Sequence, residues 1–282
     1  MPAYLGCLLR RRMVGSPPVS EEPEADFDGG WDNRVTLVEG RWVERTPRFP
    51  DREAQLRREA ALLPWLAPLL PLPVPVPEVV SEHPFTVRYA YLAGRACPGD
   101  SPAHGAAIGR FLRVLHHVDP DEAVGHGARG SEDSYAETLT TLARMERDVL
   151  PLLPEAVVAA GQALLDRMSS PPPRTAVVHA DLGPEHIRVL GDRVGGIIDW
   201  GDSCIGDPAL DLAWTTLGSD RAFSDALTAA YQPDDAHLAR ARDWHLLGPW
   251  HEVLHGLGEG SAAFVESGLA GTVSRLERFG TS

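Results

Sequence analysis

The chain has 282 residues, 43% of them apolar, enough to bury one large core or two lobes, and carries 26 basic against 40 acidic side chains for a formal net charge of −14. That balance argues against nucleic acid or an anionic membrane as a principal partner. Every basic residue is an arginine, so a Schiff-base lysine, a pyridoxal-phosphate lysine and the lysine of a GxxxxGK[ST] phosphate loop are all excluded. Cys7, Cys97 and Cys204 are widely spaced and form no CxxC pair, which points to neither a disulfide framework nor a cysteine zinc site and fits a reducing compartment. The first residues place arginines after a very short apolar run, the reverse of a secretory signal. The longest uncharged stretch, Leu62 to Pro77, is broken by six prolines and cannot be a membrane helix. A cytoplasmic chain with no membrane partner is expected; nothing in the sequence reports an oligomeric state.

Residues 1–25 mix Pro, Ser, Glu and Arg without periodicity and read as a disordered tail, with Met13 an alternative start. Phe27 to Arg45 reads as strand, Gly29-Gly30 turn, strand, Glu39-Gly40 turn and strand. A Gly-Gly turn lets backbone N–H groups approach an anion, although the same pair also serves a plain hairpin. Asp51 to Trp65 has helical spacing at Leu56, Ala60 and Leu63, with Pro64 expected to end it. A proline ladder from Leu70 to Pro77 leads to an extended segment, Thr86 to Leu92, and Gly94 with the Cys97–Ser101 turn marks a hinge.

Ala103 to Val118 has apolar residues at 107, 108, 111, 112 and 115, an amphipathic helix whose final His116 and His117 suit the negative end of its dipole. A Gly- and Asp-rich loop is expected over 119–132, two helices between Ser134 and Met168 parted near Pro151 and Pro154, and a rigid SSPPPR linker over 169–174. From Asp220 to Phe279 the pattern is helical throughout.

The most informative stretch runs from Val177 to Trp214. It reads as a strand (Ala176–Val178), a polar loop from His179 to His186, a strand (Ile187–Leu190), a Gly191-Asp192 turn, and an apolar run from Val194 to Ile198 that ends on Asp199. A hairpin of this length brings Asp199 back beside His179, Asp181 and His186, a compact set of proton acceptors and metal ligands.

HADLGPEH, IDW and GDPALDLA at this spacing resemble the aminoglycoside and macrolide phosphotransferase family, which shares the protein-kinase fold. The resemblance is strongest over His179–Trp214 and looser over about residues 26–282. It implies a two-lobe α+β kinase-like fold, with a small β-rich nucleotide-binding lobe over 26–93 and a larger helical lobe over 94–282 that holds the catalytic loop and the acceptor-binding helices. It implies transfer of a γ-phosphoryl group from ATP or GTP to a hydroxyl of a small acceptor, with Mg²⁺ or Mn²⁺ as cofactor. Asp181 would be the base that orients and deprotonates the hydroxyl, and Asp199 the metal carboxylate. Gly29, Gly30, Arg45 and Glu59 would serve the nucleotide, Arg45 as the phosphate-clasping cation and Glu59 as its partner; the same two charges also read as unrelated surface residues. His179 and Asp211 would support the catalytic loop. Asp202 is either substrate-facing or a solvated turn residue. His186 departs from the family, since most relatives carry asparagine there; this histidine resembles the macrolide branch, whereas the acidic balance suits a polycationic aminoglycoside.

A rival motif is His251-Glu252-Val253-Leu254-His255, which matches HExxH and would put two imidazoles on one helix face for zinc. A third ligand in the long zinc-peptidase form would fall at Ser261, and Glu266 is the nearest later carboxylate of note. A catalytically idle nucleotide-binding relative is the other alternative.

Overall fold

The computed structural model describes residues 33–279. The expected tail over 1–25, the first strand of the Phe27–Arg45 segment and Gly29-Gly30 all lie outside them. A small antiparallel sheet comes first: β1 (Asn33–Val38), β2 (Trp42–Pro47), β3 (Glu78–Glu82) and β4 (Phe85–Ala90), in the order β1-β2-β4-β3. Helix α1 (Pro50–Leu66) lies between β2 and β3 in the chain and packs Leu56 with Phe85 and Val87 of the sheet. Pro64 does not end this helix, which continues to Leu66. Proline removes one ladder donor, but Leu62, Leu63 and Leu66 on either side of it are fully buried, and that packing holds the last turn. Strand β3 carries half-exposed Val79 and Val80 on a sheet edge, so its alternation of burial is weak and the sequence shows only an extended lead-in.

The larger region is helical around two small sheets, β5 (Arg95–Ala96) with β7 (Ile187–Leu190) and β8 (Arg193–Ile197), and β6 (Ala176–Val178) with β9 (Cys204–Gly206). The β7–β8 hairpin turns at Gly191 as expected, and the proline ladder crosses beside it, where Ile197 N–H donates to the Pro73 carbonyl at 2.9 Å. Helices α2 (Pro102–Leu115), α3 (Pro120–Gly125), α4 (Ser131–Asp148), α5 (Glu155–Met168), α6 (Ala209–Leu217), α7 (Arg221–Tyr231), α8 (Asp235–Glu259) and α9 (Ala262–Phe279) complete it. The expected loop over 119–132 therefore contains a helix. Asp119 nucleates it by accepting from Asp121 N–H at 2.8 Å and Glu122 N–H at 3.1 Å, with Pro120 in the first turn.

Helices α2 and α7 touch backbone to backbone. A Cβ on Gly105 would lie 2.2 Å from the Phe223 carbonyl oxygen and one on Gly109 2.5 Å from that of Leu227, so only glycine fits at these two positions one turn apart. Trp200, Phe111, Phe223 and Trp250 are fully buried in the core of this region. No described helix is long and apolar enough to cross a membrane.

Candidate active site

The loop from His179 to His186 leaves β6 at the centre of the helical region. Asp211 at the start of α6 holds it: its Oδ2 accepts from His179 N–H at 2.8 Å and its Oδ1 from Ala180 N–H at 2.9 Å. Ala180 adopts a left-handed φ of 68°, a conformation costing about 1–2 kcal/mol for a residue with a Cβ. The two amide bonds to one carboxylate keep it there. His116 lies 3.1 Å from the same Oδ2 through Nε2 and 2.8 Å from the Tyr231 hydroxyl through Nδ1, all buried. His116 is therefore a brace of the loop rather than a helix-dipole partner; its position four residues after Leu112 continues the buried face of α2. His117 keeps the simpler role, its Nδ1 2.6 Å from the Arg113 carbonyl at the helix end.

The His179 ring is tied at both nitrogens. Nδ1 accepts from Asp181 N–H at 3.3 Å, so Nε2 carries the proton and donates to the Ile198 carbonyl at 3.0 Å. Burial, with some help from His186, pushes its pKa down to about 4, and the neutral ring links the loop to the end of β8.

Asp199 follows β8 and also has a left-handed φ, 65°. It turns its carboxylate toward His186 and Arg45: Oδ2 is 3.4 Å from His186 Nε2, and Oδ1 is 3.5 Å from Arg45 Nη2. Burial pushes the Asp199 carboxyl upward, but His186 and Arg45 outweigh it and hold the group below the ordinary carboxylate range. The His186 Nδ1 is 2.7 Å from the Asp181 main-chain oxygen and 3.6 Å from the Asp181 carboxylate. Arg45 on β2 meets Glu59 on α1, Nη1 lying 2.7 and 2.9 Å from the two carboxylate oxygens, both residues buried. Burial disfavours the guanidinium charge, yet Glu59, Tyr89 and Asp199 together more than offset that, so the pKa of Arg45 is raised. Arg45 and Glu59 are thus a clasped pair rather than unrelated surface charges.

Asp181, His186, Asp199, Arg45 and Glu59 form one continuous cluster, with His179 and Asp211 behind it. Asp202 stands apart: its Oδ1 accepts from Gln55 Nε2 at 3.1 Å. Gln55 sits one helical turn before Glu59, and nothing in its sequence context distinguishes it from a solvated helix residue.

The HExxH residues do not assemble. His251 lines a small cavity between α4 and α8, whereas the His255 ring packs on Phe264 of α9 at 5.0 Å. Among the described residues no group of three or more His, Cys, Asp or Glu side chains is arranged to hold a metal. The third ligand that a zinc peptidase site needs is therefore not brought to these two histidines, which face the α4–α8 cavity and Phe264 of α9.

A small antiparallel sheet with one long helix, joined to a larger helical region through a loop and hairpin bearing the acidic cluster, is the two-lobe α+β fold of protein-kinase type. Residues 25–247 match the phosphotransferase enzyme family (APH), and the chain belongs to that family of phosphoryl-transferring enzymes. No curated protein matches it in sequence. Wild-type aminoglycoside 2'-phosphotransferase-IIIa in its GDP complex superposes with a TM-score of 0.74 at 21% identity, over 88% of this chain and 90% of that one. The GDP and kanamycin complex of APH(2")-IIIa gives 0.76 at 21%, over 89% and 91%. The apoenzyme of macrolide 2'-phosphotransferase MphH from Brachybacterium faecium gives 0.69 at 24%, over 86% and 89%. At these identities the likeness is one of fold.

Proposed function

We propose that this phosphotransferase moves the γ-phosphoryl of ATP or GTP to a hydroxyl of a small natural product, an aminoglycoside or a macrolide antibiotic. One observation carries the reading: a hydroxyl-orienting carboxylate, a metal-seeking carboxylate and a phosphate-clasping guanidinium lie in contact, through Asp181, His186, Asp199 and Arg45. The kanamycin and GDP present in the solved relatives support the two substrate classes. A catalytically idle binding protein is disfavoured because both acidic groups that the transfer needs are in place.

Each residue has a physical task. Asp181, with a side chain 12% exposed, accepts the acceptor's hydroxyl proton and aims its oxygen, an effect worth about a hundredfold or more in rate. Arg45 offers the nucleotide phosphates its guanidinium, oriented by Glu59 and unable to lose its charge. His179 and Asp211 keep the loop from drifting, which matters because phosphoryl transfer is mainly positioning and charge stabilisation.

The donor set suits a metal that arrives with the nucleotide. His186 Nδ1 faces a carbonyl, which can only accept, so Nδ1 carries a proton, and Nε2, turned to the Asp199 carboxylate, is the nitrogen that would exchange its proton for a metal. The 3.4 Å between Nε2 and Oδ2 is near the ~3.0 Å between adjacent corners of an octahedron with ~2.1 Å bonds. Two side chains alone make no cage, which agrees with Mg²⁺ sites completed by phosphate oxygens and water; the imidazole makes Mn²⁺ a good second occupant. When bound, the ion supplies charge neutralisation across the phosphates. Asp199 and His186 are its proposed ligands.

A nucleotide-consumption screen over aminoglycosides, macrolides and simple sugars, with Mg²⁺ and with Mn²⁺, tests the proposal. An acceptor from the first two groups should stimulate turnover, Asp181→Asn should cut it by about a hundredfold or more, and Asp199→Ala should weaken metal-nucleotide binding. Full activity in Asp181→Asn contradicts the mechanism.

A further inference from the structure

Helix α1 is held at two points one turn apart. Glu59 clasps Arg45, and Gln55 reaches the turn that follows Asp199. Both ends of the Gln55 amide are used: its oxygen faces Arg52 Nη1 at 3.4 Å and its nitrogen donates to Asp202 Oδ1 at 3.1 Å. The amide tip closes on the turn, since a Cβ on Gly201 would lie 2.7 Å from Gln55 Nε2. Gln55 and Glu59 share one helix face, so the position of α1 is set jointly by the phosphate-clasping cation and by the backbone that carries the metal carboxylate.

We infer that Gln55 and Asp202 form a latch that positions α1, and through Glu59 the Arg45 guanidinium, against the Asp199 turn. Both are positioning residues: Asp202 acts through Gln55, not through the acceptor. The inference rests on the phosphotransferase reading of the cleft. A helix free to tilt would loosen Glu59 from Arg45 and part Arg45 from Asp199, now 3.5 Å away.

The test uses the full chain, four single variants and one double: Gln55→Leu, Asp202→Ala, their combination, Asp202→Asn, and Gly201→Ala, which leaves both partners present but crowds the amide off the turn. Amide hydrogen exchange is followed in α1 and in residues 199–206, and binding of Mg-ATP and Mg-GTP by calorimetry. The latch predicts that Gln55→Leu, Asp202→Ala and Gly201→Ala each speed exchange in both segments, and weaken nucleotide binding, by about two- to tenfold, the range one hydrogen bond supports. The Gln55→Leu/Asp202→Ala double variant should be no worse than either single. Asp202→Asn, which keeps an oxygen for the Gln55 amide, should recover most of the loss. Additive single effects, exchange confined to one segment, unchanged nucleotide affinity in Gln55→Leu, or Asp202→Asn as impaired as Asp202→Ala would each overturn the latch. If the wild-type chain binds neither nucleotide, the phosphotransferase reading fails, while the exchange data still decide the latch.

Discussion

His186 turns its Nδ1 proton to the Asp181 carbonyl at 2.7 Å and its Nε2 to the Asp199 carboxylate at 3.4 Å, so one ring spans the two acidic residues of the site. In the proposed metal role, an imidazole nitrogen would be a softer donor than an amide oxygen and would relax the demand for Mg²⁺. His186→Asn should shift metal preference, lowering the ratio of Mn²⁺- to Mg²⁺-supported turnover by several-fold, while His186→Ala lowers turnover with both. Initial rates with each metal at saturating nucleotide decide it; an unchanged ratio in His186→Asn removes the ring from the metal.

Asp211 gathers three buried donors, the amides of His179 and Ala180 and the ring of His116. Asp211→Ala strands them all, at roughly 1–3 kcal/mol for each group left unsatisfied. We expect a loss of about 3–5 kcal/mol in urea-induced unfolding. Asp211→Asn, which keeps one acceptor oxygen, should lose clearly less, and a silent Asp211→Ala would mean the loop is held elsewhere.

Acid should destabilise the fold through two buried histidines. Burial pushes His179 down to about 4, and burial with Arg144 pushes His251 down to about 4. In the unfolded chain both titrate near ~6.5. Between these values the unfolded state binds protons that the folded state refuses, so stability falls as pH falls, by up to about 1.4 kcal/mol per pH unit for each ring. Urea midpoints measured from about pH 7 to about pH 4.5 should show this slope, and His251→Gln should flatten it. An identical slope in the variant contradicts the assignment.

Pro249 sits inside α8 and has no N–H for the His245 carbonyl one turn earlier. Arg275 of α9 supplies the missing donor through Nη1. Arg275→Ala should therefore cost about 1–2 kcal/mol, and less in a Pro249→Ala background, where the restored backbone N–H can serve His245. A double-mutant cycle in urea reads the difference; equal costs in both backgrounds would show that Arg275 acts otherwise.

The sequence by itself determined the chemistry within local reach. The loop and hairpin from His179 to Asp199 are adjacent in the chain, a Gly191-Asp192 turn sets their register, and an apolar run from Val194 to Ile198 marks β8, so the approach of Asp199 to His186 was legible from spacing. The helices with strong apolar stripes were legible for the same reason, whereas α3, with few apolar positions, and edge strand β3, exposed along most of its length, left no clear periodicity. What tertiary structure decided were contacts between segments far apart in the chain. His116 and Asp211 are separated by 95 positions and Gln55 and Asp202 by 147, and a single polar residue in a helix reads the same in sequence whether it faces water or a buried partner. HExxH shows the converse. Two histidines four apart share a helix face in principle, but His251 lines a cavity against α4, the His255 ring packs on Phe264 of α9, and no third ligand is brought to the pair among the described residues. Residue pattern names the candidates; only the packing of distant elements selects which of them meet.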